Sequence, residues 1–594
     1  MDDSRPAPID PAASRRSAFT TAIVNAPDRK RLIVAGPGTG KTYAFRQALE
    51  RAGDRGLALT FIRNLVRDLE QALGDIADVF TFHAFCKWLI HRAGGTDGLT
   101  AHFHLYPALM VLVARDLTYL GTGTVDSDGL RRRLHYLDGA DGWIDAALER
   151  GDFYDAAGFE DVVYRALRHF QRSLADVPPY PLVVVDEYQD FSLLETSFIA
   201  TLATASPVLI AGDDDQALYD FKHASAQYIR DLAVDPAFRQ FALPYCSRCT
   251  QVVVDAVNDV IRVAVAGGHL ADRLPKDYKC YLPEKSGDST TYPKIIHARC
   301  SVETSQAPYV CRYVAEQISA IPAHEVALSW DRDYPTTLVV GPMHYVRRIH
   351  AYLIDHGFPQ AVLRESHPTE VSALDAARYL AWHGRDNLGW RILMDVDPPG
   401  DAAVIRRVLG DGRPLIEALP GAYVDRHQPM IDLARLYATN GANGGADTAA
   451  LAGILGCDVD DLAILRRPDE ELASAEGDSE PDRSTPSIVC TSFVGAKGLS
   501  AGHVFVAGLV NGEFPKDPGA ISDKEICEFI VALSRTRQQC HLLSNGRFAT
   551  TGGLRESAFV AWVRPHLEPR TVNAAYWPAT PRPARGGRRG RSAD

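Results

Sequence analysis

From Arg31 the chain reads Arg31-Leu32-Ile33-Val34-Ala35, a short apolar run, then Gly36-Pro37-Gly38-Thr39-Gly40-Lys41-Thr42, then a helix-like stretch, Tyr43–Arg51. Strand, glycine-rich turn and helix in that order make a P-loop over Ala35, Gly36, Pro37, Gly38, Thr39, Gly40, Lys41 and Thr42, with Ala35 where the usual pattern has glycine. Glycines let backbone N–H groups close around phosphate oxygens. Lys41 then neutralises the β and γ phosphates, and the Thr42 hydroxyl is placed to ligate Mg²⁺.

A second run, Val183-Val184-Val185-Asp186-Glu187, supplies the complement. An acid at the end of a buried strand holds magnesium, which assigns Asp186. Its neighbour Glu187 polarises the attacking water as general base. Together the two runs predict nucleoside triphosphate hydrolysis and leave its use open.

The same strand grammar extends in both directions. Leu57–Phe61, Leu182–Val185 and Val208–Ala211 are short buried-strand candidates in the first half, with Asn64–Leu73 as a helix. Thr337–Val340, Ile488–Thr491 and Val504–Ala507 repeat the pattern in the second half. Short apolar strands alternating with helices predict α/β cores, parallel sheets with helices on both faces. Two mainly helical regions, 86–180 and 365–483, interrupt them. The second ends in an acidic stretch with Glu470, Glu471, Glu476, Asp478, Glu480 and Asp482, which reads as a solvated linker. The tail, 571–594, is rich in Arg, Pro and Gly and reads as disordered. Its Arg582, Arg585, Arg588, Arg589 and Arg591 either touch phosphates or merely solubilise it.

The 594 residues carry a net charge of −12, so a nucleic-acid partner requires a local basic surface on an acidic body. No apolar stretch is long enough to span a bilayer, and the residues from Met1 to Pro11 do not read as a signal peptide; the expected location is cytoplasmic. Ten cysteines are scattered, with one close pair, Cys246 and Cys249. That single C-x-x-C lacks two further ligands nearby, so reduced thiols are expected and structural zinc is not.

At Asp186-Glu187-Tyr188-Gln189-Asp190 the chain resembles the UvrD/Rep/PcrA group of superfamily 1A DNA helicases. The resemblance continues in order from about Ala35 to Leu543. Thr60-Phe61 with Asn64 resembles motif Ia, and Thr81-Phe82-His83-Ala84-Phe85 motif Ib. Gly212-Asp213-Asp214-Asp215-Gln216-Ala217-Leu218-Tyr219 resembles motif III, and Ser247-Arg248-Cys249 motif IV. Ala496-Lys497-Gly498-Leu499 resembles motif V, and Val531-Ala532-Leu533-Ser534-Arg535-Thr536-Arg537 motif VI.

The resemblance implies two RecA-like P-loop domains, each with a helical insertion. The first covers 1–85 and 181–242 around an insertion at 86–180. The second covers 243–364 and 484–570 around an insertion at 365–483. It implies ATP and Mg²⁺ as cofactors, Gln216 as γ-phosphate sensor, and Arg248 and Arg535 as arginine fingers beside Lys41 and Glu187; Arg537 is read as structural. It implies single-stranded and tailed duplex DNA as partners. Tyr219 and Phe221 would stack on bases, Phe61, Phe82 and His83 would line the groove, and Thr60, Thr81 and Asn64 would bond phosphates or sugars.

Departures from the family pattern stand at Thr20 (a glutamine that reads adenine), Ser247 (a tyrosine), Val494 or Gly495 (a histidine) and Ser500 (a glutamate near the ribose). The segment after Arg537 is shorter than a nuclease domain, so none is expected in this chain. The leading expectation is an ATP-dependent translocase and helicase with 3′→5′ polarity, acting in repair, recombination or defence. The alternatives are a DNA-stimulated ATPase sensor that licenses a partner nuclease, and a nucleotide-gated interaction protein.

Overall fold

Six short strands pair in one parallel sheet: β1 (Lys30–Val34), β2 (Gly56–Thr60), β3 (Ala77–Thr81), β4 (Val183–Val185), β5 (Val208–Gly212) and β6 (Arg239–Ala242). Their order is β6-β1-β5-β4-β2-β3. The four central strands are almost wholly buried, as an all-parallel sheet covered on both faces requires. Leu32, Val34, Leu59, Val183 and Val185 face one apolar layer; Ile33, Ala58, Val184, Leu209 and Ala211 face the other, with Phe45 and Leu49 of the helix Lys41–Ala52.

Seven more strands form a second parallel sheet: β7 (Ile295–Cys300), β8 (Thr337–Val340), β9 (Val362–Arg364), β10 (Ile488–Thr491), β11 (Ala501–Val506), β12 (Thr536–Ser544) and β13 (Leu567–Val572). Their order is β9-β10-β8-β11-β12-β7-β13. Both sheets are the parallel α/β kind of RecA-like P-loop domains.

This computed structural model describes residues 11–60, 63–96, 98–121, 123–124, 126–219, 223–301, 309–365, 371–441, 447–466, 483–545 and 555–577. Phe61, Phe221, the side chain of Asn64, the acidic stretch and the tail arginines lie outside the described residues.

The chain divides into two units. The first comprises Met1–Pro244, Asp272–Asp277 and Ser366–Pro481; the second comprises Tyr245–Ala271, Tyr278–Glu365 and Asp482–Asp594. The helical region that interrupts the second α/β core in sequence therefore belongs, in space, with the first. The reason is burial. Each helical region is short and has an apolar face, and the two cover one another in a shared core. Leu109, Leu112, Val113 and Leu117 from one region join Leu380, Leu388, Trp390 and Leu393 from the other.

Inside that layer Asp116 is fully buried. It accepts from Arg391 Nε at 2.6 Å and Arg150 Nη2 at 3.3 Å, and also from the Tyr154 hydroxyl. At its border His104 Nε2 lies 2.8 Å from Asp386. A buried charge is tolerated only while its partners remain. Asp116→Ala should therefore cost about 3–5 kcal/mol, because it takes the nearer carboxylate from the buried Arg391, leaving it Asp395 at 3.3 Å, and removes the acceptor of Arg150 and Tyr154. An unchanged urea midpoint in that variant would show that the ion cluster does not hold the layer together.

Candidate nucleotide and coupling site

The P-loop leaves the end of β1 and opens the helix Lys41–Ala52. Gly40 caps that helix at φ 94°, a left-handed conformation that a side chain would strain. Thr39 Oγ1 donates to the Gly36 carbonyl at 2.9 Å and closes the loop on itself. Ala35 N donates to the Gly212 carbonyl at 3.1 Å, which ties the loop to the end of β5. Thr42 sits in the first turn of the helix, half-buried.

Asp186 and Glu187 follow β4, the neighbour of β5 in the sheet. Asp186 is buried, and its Oδ1 accepts the Glu187 backbone N–H at 2.9 Å. Glu187 itself holds φ 55°, ψ 43°, a left-handed backbone that a non-glycine residue adopts at a cost of about 1–3 kcal/mol. Strain of that kind concentrates where a side chain must be aimed. Here the aim is toward the P-loop: Glu187 Oε1 lies 3.5 Å from Lys41 Nζ. Thr42 and Asp186 offer oxygen donors only, the hard set that suits Mg²⁺, so these residues fit that ion.

From Glu187 a line of hydrogen bonds runs through the interior. Gln189 Nε2 donates to Glu187 Oε2 at 2.5 Å, and Gln189 Oε1 accepts from Asp213 N at 2.9 Å. Gln216 Nε2 donates to Asp213 Oδ2 at 2.5 Å. The amide of Gln189, using one donor and one acceptor, thus joins Glu187 to the residues after β5. Gly212 makes room for it: a Cβ there would stand 2.6 Å from Gln189 Oε1 and 2.6 Å from Ile229 Cδ1.

Three consecutive buried carboxylates, Asp213, Asp214 and Asp215, would repel one another without cations. Lys276 Nζ reaches all three, at 2.6, 2.6 and 2.9 Å. Arg273 grips Asp215 through two parallel bonds of 2.9 and 2.7 Å, and Arg230 Nε reaches Asp214 at 3.2 Å. Burial pushes the Asp215 carboxyl up, but Lys276 and Arg273 outweigh it and hold it below its ordinary range. Arg273 and Lys276 come from 272–277, whose flanks on both sides belong to the second unit.

The groups expected to grip a strand are placed differently from one another. Tyr219 is nine-tenths buried, and burial, then Asp190 and Glu187, push its hydroxyl up. His83 is half-buried, its ring 4.6 Å from that of Phe159. Phe82 is fully buried, its ring 5.3 Å from those of both Phe191 and Phe198. Thr60 is likewise fully buried, at the end of β2. Thr81 Oγ1 accepts from Ala84 N at 3.2 Å and caps the helix Phe82–Arg92.

In the second unit Arg248 is half-buried and its Nη1 donates to the Ser534 carbonyl at 3.5 Å. Arg535 is buried; its guanidinium donates to the Val531 and Leu499 carbonyls at 3.1 and 3.2 Å and to Ser534 Oγ at 3.0 Å. Arg537 Nε donates to Ser500 Oγ at 3.0 Å, and its guanidinium lies over the Tyr334 ring, 4.3 Å from the centroid. Burial and the like charge of Arg248 push Arg537 down to about 10.

Sequence reading missed Arg230, Arg273 and Lys276, since nothing in their spacing marks them as partners of residues 16–63 positions away. It also missed Arg16, on the helix Pro11–Asn25 that carries the half-buried Thr20. An Arg16 guanidinium nitrogen lies 3.6 Å from where a Cβ on Gly40 would stand, close against the P-loop.

A P-loop, an Asp-Glu pair and a glutamine-bridged Asp213 on a parallel sheet define a nucleotide-binding protein of the P-loop class. A model for an AAA domain matches residues 20–222. The chain is 26% identical over 450 residues to the ATP-dependent DNA helicase UvrD1 of Mycobacterium tuberculosis, covering 64% of this chain and 52% of that protein. It is 25% identical over 284 residues to the ATP-dependent DNA helicase PcrA of Bacillus subtilis, covering 40% and 38%. It is 27% identical over 143 residues to DNA helicase II of Haemophilus influenzae, covering 23% and 19%. The match spans about half the length of the UvrD1 relative. The chain is thus UvrD/Rep/PcrA-like, a relative of the superfamily 1A DNA helicases. Among the described residues no helix is long and apolar enough to cross a membrane.

Lys276→Met should invert the pH dependence of stability. In the wild type, Asp215 contributes stability that is present above the ordinary carboxylate pKa of about 4 and is lost as pH falls through its lowered value. Without the lysine the buried carboxylates repel, their pKa values rise, and the variant should weaken as pH climbs toward neutral. Thermal melts from pH 4 to 8, taken as roughly the range around carboxylate titration, read the sign. Parallel curves for the two proteins would refute the charge assignment.

Proposed function

We propose that the chain is an ATP-driven motor that moves along single-stranded DNA and opens duplex DNA bearing a single-stranded tail. The observation that carries this reading is the line of hydrogen bonds from Glu187 through Gln189 to Asp213 and Gln216. A simple nucleotide hydrolase has no use for such a link. A motor needs it, because the state of the γ-phosphate must be reported to the part that holds the strand.

In this reading backbone N–H groups of residues 35–42 and the Lys41 ammonium hold the triphosphate. Glu187 accepts a proton from the attacking water. Thr42 and Asp186 hold Mg²⁺, which when bound neutralises charge on the phosphates. Arg248 and Arg535 bring guanidinium charge to the transferring phosphoryl group, and Gln216 senses the γ-phosphate. Tyr219, with His83 and the residues after it, belongs to the strand-binding side, and Phe61, Asn64 and Phe221 are proposed there from the family pattern. The two helical regions that share one core are proposed as the accessory layer that engages duplex. The 3′→5′ direction, and work in repair, recombination or defence, are proposed from the family resemblance of the motifs.

Single-stranded DNA should raise ATP turnover many-fold. Lys41→Ala and Glu187→Gln should each lower that turnover by about a hundredfold or more; appreciable hydrolysis by either variant would count against the site. Gln189→Ala should lower the ratio of stimulated to basal turnover, since it removes the link between hydrolysis and Asp213. Fluorescent duplexes with 3′ or 5′ tails complete the test. Opening of the 3′-tailed substrate supports the motor, whereas strong stimulation with neither duplex opened would favour a sensor that licenses a partner nuclease.

A further inference from the structure

Arg248 stands between two cysteines, and their surroundings are unlike those of inert core thiols. Cys246 ends a two-residue strand, Tyr245–Cys246, paired with Lys279–Cys280. The chain then turns through Ser247 and Arg248 to Cys249 before the helix Gln251–Ala266. Cys246 Sγ accepts the Cys249 backbone N–H at 3.4 Å and the Tyr278 hydroxyl at 3.2 Å. The same Tyr278 hydroxyl lies 3.9 Å from Cys249 Sγ, so both sulfurs face one group. Cys249 Sγ is also 3.4 Å from the Ser534 carbonyl, the oxygen that Arg248 Nη1 reaches at 3.5 Å. One carbonyl, next to Arg535 in the chain, is therefore shared by the arginine and the second thiol.

We propose that Cys246 and Cys249 are a thiol–disulfide switch whose closure pulls Arg248 off the Ser534 carbonyl and stops ATP turnover. The consequence for turnover rests on the role proposed above for Arg248. The donors around Cys246 stabilise a thiolate at its sulfur. Burial would raise this thiol, but hydrogen bonds from Cys249, Tyr278 and the backbone N–H groups of Cys249 and Arg248 outweigh it and bring it below the ordinary thiol range. A thiolate is the nucleophile that oxidants meet first.

Both cysteines are fully buried, so the oxidant must be small. Hydrogen peroxide fits, and a bulky disulfide such as oxidised glutathione does not. The Cys246 thiolate attacks one peroxide oxygen, the O–O bond breaks, and hydroxide leaves and takes a proton to become water. The resulting sulfenic acid is attacked by the Cys249 sulfur; the S–S bond forms, the S–O bond breaks, and a second water leaves with the Cys249 proton. Two thiols lose two electrons and peroxide gains them. A disulfide of about 2.05 Å draws the two sulfurs well inside thiol contact distance. Cys249 must then leave the Ser534 carbonyl, and Arg248 is caught in a four-residue ring.

The test treats the full chain with hydrogen peroxide, then denatures, alkylates and maps free thiols by mass spectrometry, with ATP turnover measured in parallel. Cys246 and Cys249 should become protected from alkylation while turnover falls by about tenfold or more, in keeping with loss of a phosphoryl-stabilising arginine. Dithiothreitol should restore both. Cys249→Ser should keep its turnover through peroxide, and Cys280→Ser, at the third thiol nearby, should still switch. The proposal is overturned if the pair stays open to alkylation, if the disulfide forms with turnover intact, or if Cys249→Ser is inactivated like the wild type. The wild-type arms stand even where a serine variant folds poorly. Failure of the underlying reading registers elsewhere: reduced Arg248→Ala turning over ATP at the wild-type rate would remove the arginine from the mechanism.

Discussion

Asp213 has one carboxylate and two obligations. Its Oδ2 accepts from Gln216 and its Oδ1 from Lys276, while its backbone N–H is read by Gln189. A buried carboxylate is costly unless it is paired and fully hydrogen-bonded, and here two more acids follow it at once. The ammonium of Lys276 is what permits three such groups at the end of β5. Without it Asp213 could not hold a fixed position, and with Asp213 adrift neither Gln189 nor Glu187 would be aimed at the P-loop. Satisfied networks of this kind in low dielectric are stiff, which suits a path that has to carry a local change over several residues.

The cations that steady this node arrive from a distance in sequence. The segment 272–277 lies between stretches of the second unit yet packs in the first, and Ser366–Pro481 does the same on a larger scale. The architecture is therefore assembled from discontiguous pieces. Two helical regions too thin to bury their own apolar faces solve the problem jointly, with Asp116 and Arg391 marking one register in which they fit. The polar lock at the centre of that layer adds specificity to what apolar contact alone would leave loosely defined.

In the second unit three guanidinium groups crowd the same few residues. Arg535 is anchored by two main-chain carbonyls, Arg537 by Ser500 and the Tyr334 ring, and Arg248 by the Ser534 carbonyl. Burial, and then the like charge of Arg248, push the Arg537 guanidinium down. The carbonyl oxygens hold these cations apart, so anything that disturbs the Ser534 carbonyl disturbs the arginine set. The cysteine pair around Arg248 touches that oxygen directly.

Much of this was legible in one dimension. The P-loop, Asp186 and Glu187, and the runs Val208–Ala211, Thr337–Val340 and Ile488–Thr491 are short-range patterns, and each forms where its apolar residues and glycines predict. The strand β12 escaped that reading because its central residues include Gln538, Gln539 and His541, which no apolar-run criterion accepts. They are buried all the same, since Gln539 finds the Lys294 carbonyl and His541 the Tyr313 hydroxyl, partners the chain supplies from far away. Phe82 and Thr60 show the converse limit, because motif spacing shows which residues are near a site and not how deeply they are buried. Local spacing was thus enough to name the class of fold and the nucleotide-binding loop. Which carboxylates are neutralised by Lys276, which helical regions share a core and which thiols surround Arg248 depended on contacts between residues tens to hundreds of positions apart, and those exist only once the chain has closed on itself.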